Sequence, residues 1–225
     1  MSASKVVRRR PRQARSQGTV DAIYAATVQI IEREGGDTLT MKRVSDVSGY
    51  SIGTLYQYFQ DRDSLLMAMA TAHRDRLIER LKAVLAASQD QPCRDAITGL
   101  VAVLVDDARS KRKTFRAAAR AVARKGMTNR FLNAMRVLGD AIARTLGDLA
   151  AGRGIVLSPV GQFVLSRSLT SVLWSAVMED SELLDAPDLE AQLCNLLMAG
   201  MTPCPASRVG HVQPDAQAVP AAAHA

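Results

Sequence analysis

Thr40 and Ser51 stand eleven positions apart, and each follows a large apolar residue, Leu39 or Tyr50, and precedes a short helix-compatible run. A hydroxyl just ahead of a helix accepts a hydrogen bond from a backbone N–H of the first turn. The apolar residue before it can staple onto the fourth helical position, here Val44 and Leu55. A helix begun at Thr40 must therefore stop before another starts at Ser51. Its last apolar residue is Val47, and Gly49 can end it two residues later, which leaves Ser48-Gly49-Tyr50 as a tight turn. Two short helices joined in this way form a helix-turn-helix unit, whose second helix can enter a DNA major groove while the first crosses the backbone. Gly49, with Ser45 one turn earlier, is expected to let the two helices approach closely.

The flanking segments are helical too. From Thr19, Val20, Ile23, Tyr24, Thr27, Ile30 and Ile31 recur at steps of three and four, and Gly35-Gly36 ends that helix, with Gly36 expected in the left-handed stop conformation. The helix opened by Ser51 reaches about Tyr58. Asp61 caps a fourth, which carries Leu65, Leu66, Met69, Ala72 and Leu77 on one side and reaches about Leu85. Beyond Pro92 the periodicity predicts helices over 94–108, 111–125, 128–150, 159–178 and 187–200. Ser158-Pro159 marks the start of one, and Asp188 and Glu190 put negative charge at the start of the last. No stretch alternates as a strand would. The expected fold is all-α with about nine helices. Its parts are a basic disordered arm (1–18), a three-helix helix-turn-helix DNA-binding domain (19–60), a larger helical domain (61–202) and a Pro- and Ala-rich disordered tail (203–225).

Charge is unevenly placed. The formal net charge is +7, and Lys5, Arg8, Arg9, Arg10, Arg12 and Arg15 supply +6 of it in an arm with no acid. A basic arm on a near-neutral body points to a polyanionic partner. Five of the nine Phe, Tyr and Trp residues lie before position 60, four of them tyrosines whose hydroxyls suit phosphate contact. No uncharged apolar run approaches the ~20 residues that cross a bilayer. The basic N-terminus runs into polar residues without the apolar stretch of a secretory leader, so a cytoplasmic location is expected. Cys93, Cys194 and Cys204 form no CxxC pair and read as reduced thiols. There is no His/Cys cluster at metal-ligand spacing, so neither metal nor cofactor is expected.

The segment from Thr40 to Leu66, TMKRVSDVSGYSIGTLYQYFQDRDSLL, resembles the DNA-binding core of the TetR/AcrR family of bacterial transcriptional regulators, and the likeness extends back to about Thr19. The Gly-Thr-Leu-Tyr-x-Tyr-Phe run followed by Asp-Arg-Asp-x-Leu is its most specific part. Ser45, Ser48 and Tyr50 depart from the residues common there, and none of the three removes a DNA-facing group. Beyond this segment the chain matches in helicity and length alone. The resemblance implies a homodimer built mainly from the last two helices, a small-molecule effector cavity in the larger domain, and an inverted-repeat operator in double-stranded DNA. It implies that Ile52, Thr54, Tyr56 and Gln57 face base edges or nearby backbone and that Lys42, Tyr58 and Arg62 meet phosphates; Ser51 is counted in the same DNA-binding set, and the arginines of the arm, by their charge, are expected to add affinity for DNA. Chemistry agrees: Gln57 can pair bidentately with adenine, and Ile52 can touch a thymine methyl. Leu55 and Phe59 are assigned to the small domain's core.

Two further patterns need weighing. Gly49-Tyr50-Ser51-Ile52-Gly53 matches the G-x-S-x-G nucleophile elbow of hydrolases, but an elbow needs a buried strand before the serine, and Met41 to Ser48 is polar and capped as a helix. No enzymatic activity is expected. Between Arg109 and Arg136 there are ten Lys or Arg residues and no acid, and Lys113, Arg116, Arg120 and Arg124 fall on one helical stripe opposite Phe115, Ala118, Ala119 and Val122. That stripe could face solvent, an anionic effector or DNA, or be neutralised by the acidic segment from Glu179 to Glu190. A stripe turned away from the cavity would leave it apolar, for a neutral or cationic hydrophobe. The 159–178 helix is apolar on more than one side, and Leu165, Leu169, Val172 and Leu173, with Leu189, Leu193 and Leu196, are expected at an isologous dimer interface. The expected function is a sequence-specific transcriptional regulator, most simply a repressor released by its effector. The alternative is an architectural DNA-binding protein without one.

Overall fold

The computed structural model describes residues 10–124 and 128–201. Eight α-helices follow one another: α1 (Arg10–Glu34), α2 (Met41–Ser48), α3 (Ile52–Tyr58), α4 (Arg62–Ala87), α5 (Cys93–Arg124), α6 (Thr128–Ala151), α7 (Pro159–Met178) and α8 (Leu189–Met201). Short 3-10 turns lie at Gly36–Thr38 and Glu182–Asp185, and no strand occurs among the described residues. The all-α expectation holds. None of the described helices is long and apolar enough to cross a membrane.

The structure departs from the expected elements in three places. The helices placed at 94–108 and 111–125 are one continuous α5, because nothing between them breaks a helix. Arg109 there sends its side chain to the Leu184 and Ala186 carbonyls and Glu190 while its backbone stays helical. Helix α1 begins at Arg10, so the half of the expected arm that carries Arg10, Arg12 and Arg15 has helical backbone; Lys5, Arg8 and Arg9 lie outside the described residues, as does the expected tail over 203–225. At the end of α1 it is Gly35, at φ 90°, that takes positive φ. Gly36 has a different reason to lack a side chain, since a Cβ there would stand 2.9 Å from the Ala117 Cβ. It lets the loop after α1 press onto α5.

Two apolar cores organise the chain. In the small one, Ile23, Ile30 and Ile31 of α1 meet Leu39, Val44 and Leu55, and the set is completed by Leu65, Leu66 and Met69 from the start of α4 and by Ala117 and Ala121 from the end of α5. In the large one, Leu77 and Leu81 of α4 and Ile97, Leu100, Val101 and Val105 of α5 pack with Ile142 and Leu146 of α6, Leu169 of α7 and Leu197 of α8. One long helix and two short ones cannot enclose so few apolar side chains, so the small core borrows from its neighbours. The boundary expected at residue 60 therefore does not separate two cores: α4 and α5 run through both.

Candidate functional site

Each turn of the helix-turn-helix is fixed by a nearby hydroxyl or glycine. Thr40 Oγ1 accepts from the Arg43 N–H at 3.0 Å and starts α2. Gly49 stops it in the left-handed conformation, φ 73° and ψ 5°, with its N–H on the Ser45 carbonyl. A Cβ on Gly49 would meet nothing within 4 Å, so this glycine serves the backbone conformation and not, as expected, the close approach of two helices. The Ser45 hydroxyl donates to the Tyr50 carbonyl at 2.6 Å, and the Ser48 hydroxyl accepts from the Tyr50 N–H. Ser51 Oγ then accepts from the Thr54 N–H at 3.1 Å and opens α3. The G-x-S-x-G serine is thus a helix cap preceded by a helix, without the strand an elbow requires.

Leu55 and Phe59 are buried and hold α3 on the small core, which turns its other face outward. Ile52 is 43% exposed, Tyr56 52% and Tyr58 38%; Ser51 and Gln57 are also exposed, and Thr54 is half-buried. Lys42 is exposed on the first turn of α2. The structure brings these candidate residues together around one exposed helix. Arg62 does not join them fully: it is half-buried, donates to the Leu39 carbonyl at 3.3 Å and pairs with Asp63, so it braces the loop before α2. The Tyr58 hydroxyl accepts from Ser16 Oγ at 3.3 Å, which ties α1 to the outer end of α3.

The basic stripe on α5 lies on the solvent side of the helix, with Lys113, Arg120 and Arg124 exposed, and its members are also paired with acids or carbonyls of the same subunit. Lys113 donates to the Glu32 carbonyl at 2.8 Å, Arg120 pairs with Asp37 at 3.3 Å, and Arg124 donates to both oxygens of Asp63, at 2.7 and 3.4 Å. These contacts bind α5 to the helix-turn-helix head. On the other side, Arg116 pairs with Asp180 and Arg112 with Asp185, at 2.7 and 2.6 Å, so the acidic segment neutralises part of the row within the same subunit. The hydrogen bond from Arg124 holds the Asp63 carboxyl below the usual carboxylate range, against the opposing pull of partial burial. Arg116 does the same for Asp180, and Arg112 for Asp185.

With the stripe turned away, Phe115, Ala118, Ala119 and Val122 line a cavity of about 870 Å³ between α4, α5, α6 and α7. Met67, Leu104, Leu138, Leu173 and Trp174 complete its apolar wall. Arg74 and Asp75, which pair with each other at 2.7 Å, and Asp107 are its charged members. The Asp107 side chain is only 4% exposed. It accepts from His73 Nε2 at 2.9 Å and from Arg80 at 3.3 Å, and His73 packs its ring edgewise on Phe115. Sequence reasoning missed this cluster. His73 and Asp107 lie on different helices and form no motif along the chain.

The α7 and α8 leucines divide by helical phase. Leu165, Leu169, Leu173 and Leu193 are buried inside the subunit and are not available to a partner, which corrects their assignment to a dimer interface. The side chains left outside are Val160, Phe163, Val164 and Val172 of α7 and Leu196 of α8, with Leu189 half-buried.

Comparison with known proteins accords with this geometry. Residues 23–69 match the profile of the bacterial regulatory proteins of the tetR family. Over 76 residues the chain is 29% identical to the HTH-type transcriptional regulator SAR0097 of Staphylococcus aureus (strain MRSA252), a match that spans 32% of this chain and 40% of that protein's length. Among solved structures, a TetR-family transcriptional regulator of Mesorhizobium loti MAFF303099 superposes with a TM-score of 0.63 at 17% identity, covering 83% of this chain and 95% of that one. SmeT, solved as a complex with triclosan, does so with a TM-score of 0.57 at 20% identity over 81% of this chain and 91% of its own. Residues 23–69 thus resemble the N-terminal segment of TetR-family regulators, and the chain as a whole shares the helical fold of the solved structure from Mesorhizobium.

Proposed function

We propose that this TetR-type chain is a sequence-specific transcriptional repressor that binds an inverted-repeat operator as a homodimer and is released by a small molecule held in the α4–α7 cavity. The observation that carries the reading is that two of the four helices lining the cavity, α4 and α5, also complete the reading head. Leu65, Leu66 and Met69 of α4 lie in the small core while Met67, Thr71 and Leu77 of that helix line the cavity, and α5 gives Ala117 and Ala121 to the one and Phe115 and Ala119 to the other. A guest that parts α4 from α6 and α7 must tilt the element on which α3 is seated. In a dimer, two recognition helices have to match successive major grooves, about 34 Å apart, so a tilt in each subunit mis-spaces them. The guest can shift this equilibrium only by its differential affinity for the two arrangements.

Base reading falls to Ile52, Thr54, Tyr56 and Gln57, and phosphate contact to Lys42, Ser51, Tyr58 and the arginines of the arm. Dimerisation falls to the exposed apolar side chains of α7 and α8, Phe163, Val164, Val172 and Leu196. The test is a reporter gene placed behind DNA selected by the purified protein, in a bacterial host that expresses the chain. Repression is expected, with relief by some members of a small-molecule library. Relief should be weakened in Ala119→Leu, which narrows the cavity. A reporter indifferent to the chain would contradict the repressor reading, and relief unchanged in Ala119→Leu would move the effector elsewhere.

A further inference from the structure

We infer that a second cavity, where α1 meets α4 and α5, binds a small aromatic carboxylate held by Arg76 and Lys111. This cavity, of about 520 Å³, is separate from the one assigned to the effector. Asp21, Tyr24 and Val28 of α1 belong to its wall, whereas no residue before Gln60 lines the larger cavity. Ala70, His73, Phe115 and Ala118 belong to both linings, so one layer of side chains parts the two. In that layer His73 is held by Asp107 at 2.9 Å and by its edgewise contact with Phe115. An occupant of the second cavity therefore touches the helix-turn-helix head through α1 and the body through α4 and α5.

Charge on this wall is one-sided. Arg76 and Lys111 line it without an ion pair or side-chain hydrogen bond to any described residue. Acids close to them along α4 and α5 are already engaged, Asp75 by Arg74 and Asp107 by Arg80 and His73. The acid in the lining, Asp21, is exposed and accepts from Gln17 Nε2 at 3.1 Å. Two cations against one carboxylate leave a single positive charge, which suits a monoanion. Burial pushes the Tyr24 hydroxyl above its usual pKa, against the pull of Arg76, so it stays a neutral donor toward the same space. Between these polar groups the wall is apolar, with Val28, Met69, Phe115 and Ala118. A flat ring laid on Met69 and Phe115 leaves water, and its carboxylate meets the guanidinium fork of Arg76 and the ammonium of Lys111. A neutral molecule of the same shape gains the first contact without the second.

Naphthoate and naphthamide share one ring system and differ in charge, and calorimetric titration of the full-length protein with each, at low ionic strength, tests the assignment. The naphthoate is expected to bind roughly fivefold more tightly than the amide. Arg76→Gln and Lys111→Gln should each reduce that ratio and together remove it. Ala119→Leu, which narrows the larger cavity and lies outside the lining of this one, should leave it unchanged. Arg76 is exposed and Lys111 half-buried, so both glutamines are tolerated by the fold, and the wild-type ratio needs no variant. Equal binding of the two compounds, or no binding of naphthoate, overturns the inference and leaves the effector reading of the larger cavity untouched. Naphthoate binding that is unchanged in the double Gln variant, or lost in folded Ala119→Leu, places the anion elsewhere and overturns it as well.

Discussion

Replacing Arg120 and Arg124 by glutamine removes two of the three α5 cations that hold the reading head, while Arg112 and Arg116, paired with acids of the body, offer a matched control. The two pairs at the head are unequal. Arg120 and Asp37 are 61% and 83% exposed, so their attraction is spent on ordering and screened by solvent, and close to nothing is expected from it. Arg124 makes a two-pronged contact with an Asp63 side chain that is 15% exposed, a geometry at the upper end for surface pairs, about 1 kcal/mol after discounting for the solvent around Arg124. That amount is roughly a fivefold change in an equilibrium constant. Loosening the head costs affinity because the orientation it held must then be fixed by DNA. Arg112→Gln/Arg116→Gln loses the same two charges, and so the same long-range attraction to DNA, without touching the head. Anisotropy titration on a selected operator at fixed salt should show the Arg120→Gln/Arg124→Gln protein weakened about three- to fivefold more than the control. The gap should close as salt rises. Equal losses in the two proteins would refute the idea that these pairs orient the head.

Other outcomes follow from the same geometry. Gln57→Ala should relax selection at one base position per half-site, worth ~1–3 kcal/mol of discrimination, while Tyr58→Phe weakens all sequences alike; selection profiles of the two proteins check both. Phe163→Asp or Val172→Asp, on the exposed face of α7, should give folded monomers by sedimentation, whereas Leu169→Asp, at a fully buried position, should unfold the subunit; a folded dimer with Asp at both 163 and 172 would exclude that face. Because the folded Asp63 has a depressed pKa, its pairing contributes fully above about pH 4 and is lost as pH falls below that. Asp63→Asn should therefore be less stable than wild type at pH 7 and converge with it toward pH 3, measured by urea unfolding at each pH.

The reading head was legible because its signals are local. The caps at Thr40, Ser51, Asp61 and Ser158 appear in the structure where the sequence places them, since a cap needs only the next three residues to act. Leu55 and Phe59, assigned to the small core, are buried there as expected. What depended on distant partners was not legible. Whether Arg109 and Ser110 mark a break or a continuous α5 turns on carbonyls at Leu184 and Ala186, and the direction of the basic stripe turns on Glu32, Asp37, Asp63 and Asp180. The α7 leucines failed for a related reason: an apolar helix declares how many sides are covered, not which side meets its own subunit. The cavity is the extreme case, because four helices build it from residues with no spacing rule between them.

The central claim is that an exposed α3, seated on a head shared with α4 and α5, reads a specific DNA sequence in a symmetric dimer. Selection of genomic fragments by the purified full-length protein, followed by sequencing, tests it most directly. The expected result is enrichment of one inverted repeat whose half-sites lie about one helical turn apart, bound at least ~10³-fold more tightly than bulk DNA. Uniform recovery of fragments, with affinity set by salt alone, would contradict it and leave an architectural DNA binder.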